Sequence, residues 1–186
     1  MVSYTKGLVN LSSKQDLDGC TKTISRLDQL YQNHPGILEV VVSYANGLAN
    51  LSCKQDLDGC TETIARLDQL YQSHPDRENI ATNFMGVLVN FSFYQKSESE
   101  VRCILARSSE IFERYPQNRD IQLYHAETWF NLTLQQREDD ISATVTDIVD
   151  FLRSNTNVIP QFKEALNEYL CTHPDHMVRY QPLLHL

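Results

Sequence analysis

The chain repeats itself. SYTKGLVNLSSKQDLDGCTKTISRLDQLYQNHP, Ser3 to Pro35, returns as SYANGLANLSCKQDLDGCTETIARLDQLYQSHP, Ser43 to Pro75, at an offset of 40 residues. Counted from Val2 against Val42, 34 positions align and seven differ: Thr5/Ala45, Lys6/Asn46, Val9/Ala49, Ser13/Cys53, Lys22/Glu62, Ser25/Ala65 and Asn33/Ser73. A period of this length marks a repeat architecture, in which each unit buries its apolar face on its neighbours.

The repeat continues as it decays. LVNFS, Leu88 to Ser92, follows LANLS, Leu48 to Ser52, at the same offset. ARSSEIFERYP, Ala106 to Pro116, follows ARLDQLYQSHP one residue late, so one residue has been inserted between the two segments. In a fourth copy, WFNLT (Trp129 to Thr133) continues the first column and DIVDFLRSN (Asp147 to Asn155) the second.

Each unit reads as two helices. Leu38, Val41, Ala45, Leu48 and Ser52 recur with the helical period, and so do Cys60, Ile64, Leu67 and Tyr71. The second stripe persists as Val101, Leu105, Ser108 and Phe112, then as Ile141, Val145, Ile148 and Leu152. No segment alternates with period two over a strand's length. Asp16 and Asp56 are placed to cap second helices, Asp76 and Asn118 first helices, and Ser97 to Glu100 has capping-box spacing. Pro35, Pro75 and Pro116 mark the ends of units. Glu62 and Arg66 stand four apart on an outer face and can pair.

A two-helix unit of this size cannot bury both of its apolar faces, and stacking on neighbours solves that. The expectation is an all-α, right-handed α-solenoid of eight to ten helices, filling residues 1–186 as a single repeat domain. Its units are 1–35, 36–75, 76–117 and 118–156. Residues 157–186 would be C-terminal capping helices: a helix near Val158 to Cys171, a break at THPDH, and MVRYQPLLHL across the last apolar face. Over residues 2–156 the pattern resembles the tetratricopeptide-repeat class. The resemblance rests on Tyr44, Gly47, Leu48 and Leu51 in the first helix, then Thr63, Leu67, Leu70 and Pro75 in the second. The chain departs from that class in its Gly47-Leu48 order and in a unit longer by about six residues. HEAT and armadillo arrays, with units nearer this length, stay open.

The first unit begins in mid-phrase. Met1 aligns with Val41, whereas the second unit's opening helix is expected from near Gly36. About a turn of helix or more is thus missing from the first unit. That suggests a fragment of a longer array, or an internal start; a naturally short first helix is the alternative.

Charge and cysteines narrow the partners. The net charge is −8, from 24 acidic and 16 basic residues. Sequence-independent binding to nucleic acid or anionic membranes needs clustered Lys and Arg, which the chain lacks. The longest apolar run, ILEVVVSYA, is interrupted by Glu39, so no membrane span is expected. The five cysteines, Cys20, Cys53, Cys60, Cys103 and Cys171, lack CxxC spacing and fit free thiols in a reducing, cytoplasmic setting. A secretory leader stays open for a chain that starts short. Cys20 and Cys60 share one position in an apolar stripe and read as small buried hydrophobes.

No catalytic motif is present: no Walker motif, GxGxxG, GxSxG or HExxH. Cys171, His173 and His176 form C-x-H-x-x-H, but nothing supplies the remaining ligands of a metal site. The acid pairs Asp16/Asp18 and Asp56/Asp58 read as stabilisers of helix N-termini. No enzyme activity, metal or cofactor is expected.

One residue outlasts the repeat: Asn10, Asn50, Asn90 and Asn131, each in N-x-S/T. Inside a helix, in a chain of reduced cysteines, these read poorly as glycosylation sites. At about 100° per residue, Asn50, Asn46, Ser43 and Glu39 lie roughly opposite Leu48, on one polar face of the first helix. Asn79, Asn83 and Asn90 continue it in the third unit, and Tyr124, Glu127 and Asn131 in the fourth. In tetratricopeptide-like arrays, the resemblance implies, this face lines a concave groove that holds a partner peptide. Asn suits an extended backbone because its amide both donates and accepts. The alternative is that the ladder bonds internally, between units or at helix ends. The expected function is a non-catalytic protein-interaction scaffold whose partner residues are Asn10, Ser43, Asn46, Asn50, Asn79, Asn83, Asn90, Tyr124, Glu127 and Asn131. A structural module that self-associates through the open N-terminal end is the alternative. RNA reading by polar first-helix residues is a third, opposed by the acidic balance.

Overall fold

A computed structural model describes residues 2–186. Among them are ten α-helices, two single 3-10 turns and no strand. The helices are α1 (Val2–Lys14), α2 (Leu17–Asn33), α3 (Leu38–Ser52), α4 (Leu57–Ser73), α5 (Glu78–Tyr94), α6 (Glu98–Arg114), α7 (Arg119–Thr133), α8 (Glu138–Ser154), α9 (Ile159–Thr172) and α10 (Gln181–Leu184). No helix among the described residues is long and apolar enough to cross a membrane.

The boundaries follow local chemistry. Asp16 and Asp56 accept from the amides of Gly19 and Gly59 at 2.9 and 3.0 Å, capping α2 and α4. Asn118 accepts from Ile121 at 2.9 Å and caps α7. Ser97 accepts from the Glu100 amide, and its own hydroxyl bonds the Glu100 carboxylate at 2.6 Å, so the capping box forms in a variant geometry. At the other ends His34, His74 and Tyr115 each turn their amide back onto the last helical turn, one residue before Pro35, Pro75 and Pro116. The second unit's first helix starts at Leu38, slightly later than Gly36. Within each of the first two units a threonine secures the interhelical turn: Thr23 bonds Gln15 and Thr63 bonds Gln55, both at 2.7 Å.

The helices form two compact units, one running to Phe91 and one from Ser92 to Leu186. In the first, packing is sequential: α1 lies on α2 and α3, α2 on α3, and α3 on α4. Its core holds Val41, Ala45, Leu48, Cys60, Leu67 and Tyr71 of the two expected stripes, together with Leu8, Ile24, Leu27, Tyr44 and Phe84, whereas Leu38 of the first stripe is exposed and Ile64 of the second half-buried. In the second, α6 packs on α7, α7 on α8 and α9, and α10 on α8. The 3-10 turn Pro174–His176 breaks the chain after α9, and the segment beyond returns over the apolar face. Tyr180 and Leu183 are fully buried there, against a cluster that includes Phe130, Val145, Ile148 and Phe162.

A ring contact recurs where one unit's second helix meets the next unit's first helix. Tyr31 stacks on Tyr44 with centroids 5.4 Å apart. Tyr71 meets Phe84 at 6.0 Å, and Phe112 stacks on His125 at 5.1 Å. These pairs join two columns of the repeat, stacked at the first and third junctions and tilted at the second.

Candidate functional site

The first unit carries an open groove of about 380 Å³. Val9, Leu38 and Val42 give it an apolar floor, and Lys6, Asn10, Glu39, Asn46 and Asn79 a polar rim, with Ser43 beside them. The first helix of each repeat supplies these residues, because that helix turns a polar, mostly short-chained face away from its own partner helix. Four of the expected partner residues, Asn10, Ser43, Asn46 and Asn79, therefore meet at one site. Lys6 was not among the expected residues; the alignment Lys6/Asn46 was the signal that it shares the ladder.

Asn83 sits beside the groove and ties two repeats together. Its amide donates to the Asn46 side-chain oxygen at 2.5 Å and to the Asn79 carbonyl at 2.9 Å. Asn46, which lines the groove, is thereby oriented by the bond its side-chain oxygen accepts from Asn83.

The asparagines of the N-x-S/T column behave differently. Asn50 donates to the Ser12 hydroxyl at 3.0 Å and to the Val9 carbonyl at 3.3 Å, one repeat back. Asn131 is buried and donates to Ser92 at 2.8 Å, again one repeat back. Ser12 is itself buried and donates to Val9, Ser52 to Ala49 and Thr133 to Phe130. In the second and fourth repeats the motif is thus an interlock: its Asn reaches the preceding repeat, and its Ser or Thr closes the end of its own helix. For Asn50 and Asn131 the internal reading of the ladder describes what the side chains do. Asn90 is exposed, and its amide lies 3.7 Å from the Cys53 sulfur.

Tyr124, Glu127 and Asn131 stand on α7 in the second unit. Tyr124 and Glu127 are half-buried. Desolvation pushes the Glu127 carboxyl up to about 7, so it is a weak acid rather than a fixed charge. Two residues earlier, burial pulls His125 down to about 4. His125 Nδ1 lies 2.6 Å from the Ser108 hydroxyl, which invites comparison with a serine nucleophile and its base. The tautomer decides otherwise. Trp129 can only donate, and it donates to His125 Nε2 at 3.1 Å. The neutral ring must then carry its proton on Nδ1 and donate it to Ser108. A serine that receives a proton from its histidine is not activated by it. Both side chains are buried besides.

Elsewhere, Tyr169 bonds His176 at 2.7 Å and stacks on His173 at 4.3 Å. Among the described residues no group of three His, Cys, Asp or Glu side chains is gathered to hold a metal. Cys20 and Cys60 are buried free thiols, both raised in pKa by desolvation, and Cys60 donates to the Ser52 carbonyl at 3.2 Å. Cys53, Cys103 and Cys171 are exposed.

No family model matches this chain, and no curated protein or solved structure matches it either.

Proposed function

We propose that this chain is a non-catalytic interaction scaffold, a right-handed α-solenoid of tetratricopeptide-like units that binds a polypeptide along the polar face of its first helices. The observation that carries the proposal is the groove of the first unit. An apolar floor and a rim of amides, one cation and one carboxylate suit an extended peptide, which brings alternating side chains and a backbone needing both donors and acceptors. Within the ladder, Asn10, Asn46 and Asn79 are the contact residues, while Ser43, expected among them, is buried at the groove's edge. Asn50 and Asn131 are the supports that hold successive repeats in register. Free exposed thiols favour a reducing compartment such as the cytoplasm.

Selection from a displayed random-peptide library against the whole chain tests this. Bound peptides should shift the backbone resonances of Lys6, Asn10, Glu39 and Asn79. Replacing Asn10 and Asn79 by Arg, both at exposed positions, should abolish the binding while the helical spectrum is kept. Peptides that bind elsewhere, or that bind the double variant equally well, would refute the groove as the site.

A further inference from the structure

We propose that the cleft walled by α2 and α4 and floored by Tyr44 of α3 binds a free α-amino acid with an apolar side chain, its ammonium at Asp28 and its carboxylate at Arg66. The site lies between the second helices of two successive repeats and is independent of the groove. It measures about 360 Å³, near the lower end of small-molecule sites, which run from roughly 300 to 1,000 Å³. Asp28 faces it from α2 and Arg66 from α4. Asp28 is half-buried and accepts from Gln32 Nε2 at 2.8 Å, and Arg66 is held by Glu62 at 2.5 Å. Both bonds stay within one helix, so each charge is set on its own wall. A carboxylate offers about four acceptor sites and a guanidinium five N–H donors, which leaves capacity on both for a ligand.

Tyr44 stands between the two charges. It is buried, and its ring is fixed by the stack on Tyr31. Burial first, and then Asp28, push its hydroxyl up to about 12, against the opposing pull of Arg66. The hydroxyl is thus neutral, able to donate to the carboxylate and accept from the guanidinium. One hydroxyl reaching both puts the charges about two hydrogen-bond lengths apart, roughly 5–6 Å. The repeat supplies a contrast. One unit on, Phe84 takes the Tyr44 position without a hydroxyl, and Arg107 is paired with Glu110, which takes the Gln69 position. The bridge of Asp28, Tyr44 and Arg66 is therefore not something the repeat needs in order to stack.

That spacing selects the ligand. A molecule lying over the hydroxyl, with a hydrogen bond to each wall, must carry its own ammonium and carboxylate about one hydrogen-bond length apart, ~3 Å. A free α-amino acid does so, because both groups sit on one carbon. A residue inside a peptide has neither charge, and a chain terminus has one of the two. Tyr31 and the buried Leu70 complete the cleft with apolar surface, which suits an aliphatic or aromatic side chain.

Nuclear magnetic resonance titration of the isotope-labelled full chain with each standard amino acid in turn tests the site. An apolar amino acid is expected to give saturable shifts at Asp28, Tyr44 and Arg66. Its N-acetyl derivative lacks the ammonium and its amide lacks the carboxylate, and each should bind at least about tenfold more weakly, since charge-assisted hydrogen bonds are the strong ones. Arg66→Gln and Asp28→Asn in the chain should weaken binding by a similar factor. Tyr44→Phe should weaken it too, and it installs the residue of the next repeat, so the ring contact is kept; unchanged circular dichroism verifies all three folds. Absence of a saturable shift with any amino acid up to on the order of 10 mM overturns the proposal. So does equal binding by a blocked derivative, or undiminished binding by Arg66→Gln or Asp28→Asn. Shifts confined to Lys6 and Asn10 would assign the ligand to the groove and overturn it as well.

Discussion

Asn50 donates its side-chain amide to the hydroxyl of Ser12, 3.0 Å away and 38 residues earlier in the chain. Asn131 does the same to Ser92 across 39 residues. At these two positions the persistent asparagine is therefore a register pin. Losing it leaves a buried acceptor without its donor, which costs about 1–3 kcal/mol. Asn131→Ala should cost most, since both partners are buried. Asn50→Ala should fall near the lower end, because Asn50 is half-buried and Ser12 keeps its bond to Val9. Asn90→Ala should change stability by less than about 0.5 kcal/mol. Urea unfolding of the three variants measures the order, and an equal effect at all three positions would contradict it.

The cysteines divide three to two. Cys53, Cys103 and Cys171 are exposed, whereas Cys20 and Cys60 are buried with thiols raised by desolvation. The thiolate is the reacting form, so burial slows Cys20 and Cys60 twice over, by access and by ionisation. A thiol reagent should label three sites rapidly in the native state. The remaining two should react only as the chain unfolds. Peptide mapping of the labelled protein identifies which.

Much of this was legible in the sequence, for a physical reason. The two apolar stripes, the caps at Asp16, Asp56, Ser97 and Asn118, and the prolines after His34, His74 and Tyr115 act over a few residues, and short-range chemistry is visible in a string. The side chain of Asn50 was harder. A helical wheel puts Asn50 opposite Leu48, away from its own unit's core. It does not show that the first helix of the preceding repeat lies close by, so the face read as outward is partly an interface. The ring column was readable from the aligned positions 4, 44 and 84, but His125 stands where the fourth ring belongs and obscures it.

His125 predicts an acid limit to stability. Its folded pKa is lowered from 6.5 to about 4, because a buried ring surrounded by Phe112, Phe151 and Trp129 resists charge. The unfolded chain thus binds the proton first. The stability this residue contributes is complete above about pH 6.5 and drains away as pH falls towards 4, by on the order of 3 kcal/mol. Urea midpoints between pH 7 and pH 4 should fall accordingly. His125→Gln should start lower and fall less steeply.

Glu127 works in the opposite direction. Its carboxyl is raised from 4.5 to about 7, so the fold prefers the neutral acid. That preference is fully present below about pH 4.5 and lost as pH rises through 7. Glu127→Gln mimics the neutral form at every pH. The variant should be more stable than the parent by about 1–3 kcal/mol at pH 8 and indistinguishable from it near pH 4.5. A constant difference across that range would show that the carboxyl is not held in its neutral form.

Gly7 and Gly47 make a matched experiment, since they occupy one repeat position with different surroundings. An exposed glycine inside a helix costs up to about 1 kcal/mol relative to alanine. Gly7 has nothing within 4 Å of a new Cβ, so Gly7→Ala should recover that amount and raise the melting temperature. At Gly47 the same methyl would meet Ile24 and Leu27 at 2.6 and 2.8 Å, and both are buried with little room to move. Overpacking of this kind typically costs about 1–3 kcal/mol, which exceeds the helical gain. Gly47→Ala should therefore lower stability by about 1 kcal/mol. Two identical substitutions, 40 residues apart, are expected to differ in sign. Equal stabilisation by both would mean that α2 does not press on α3 as closely as described.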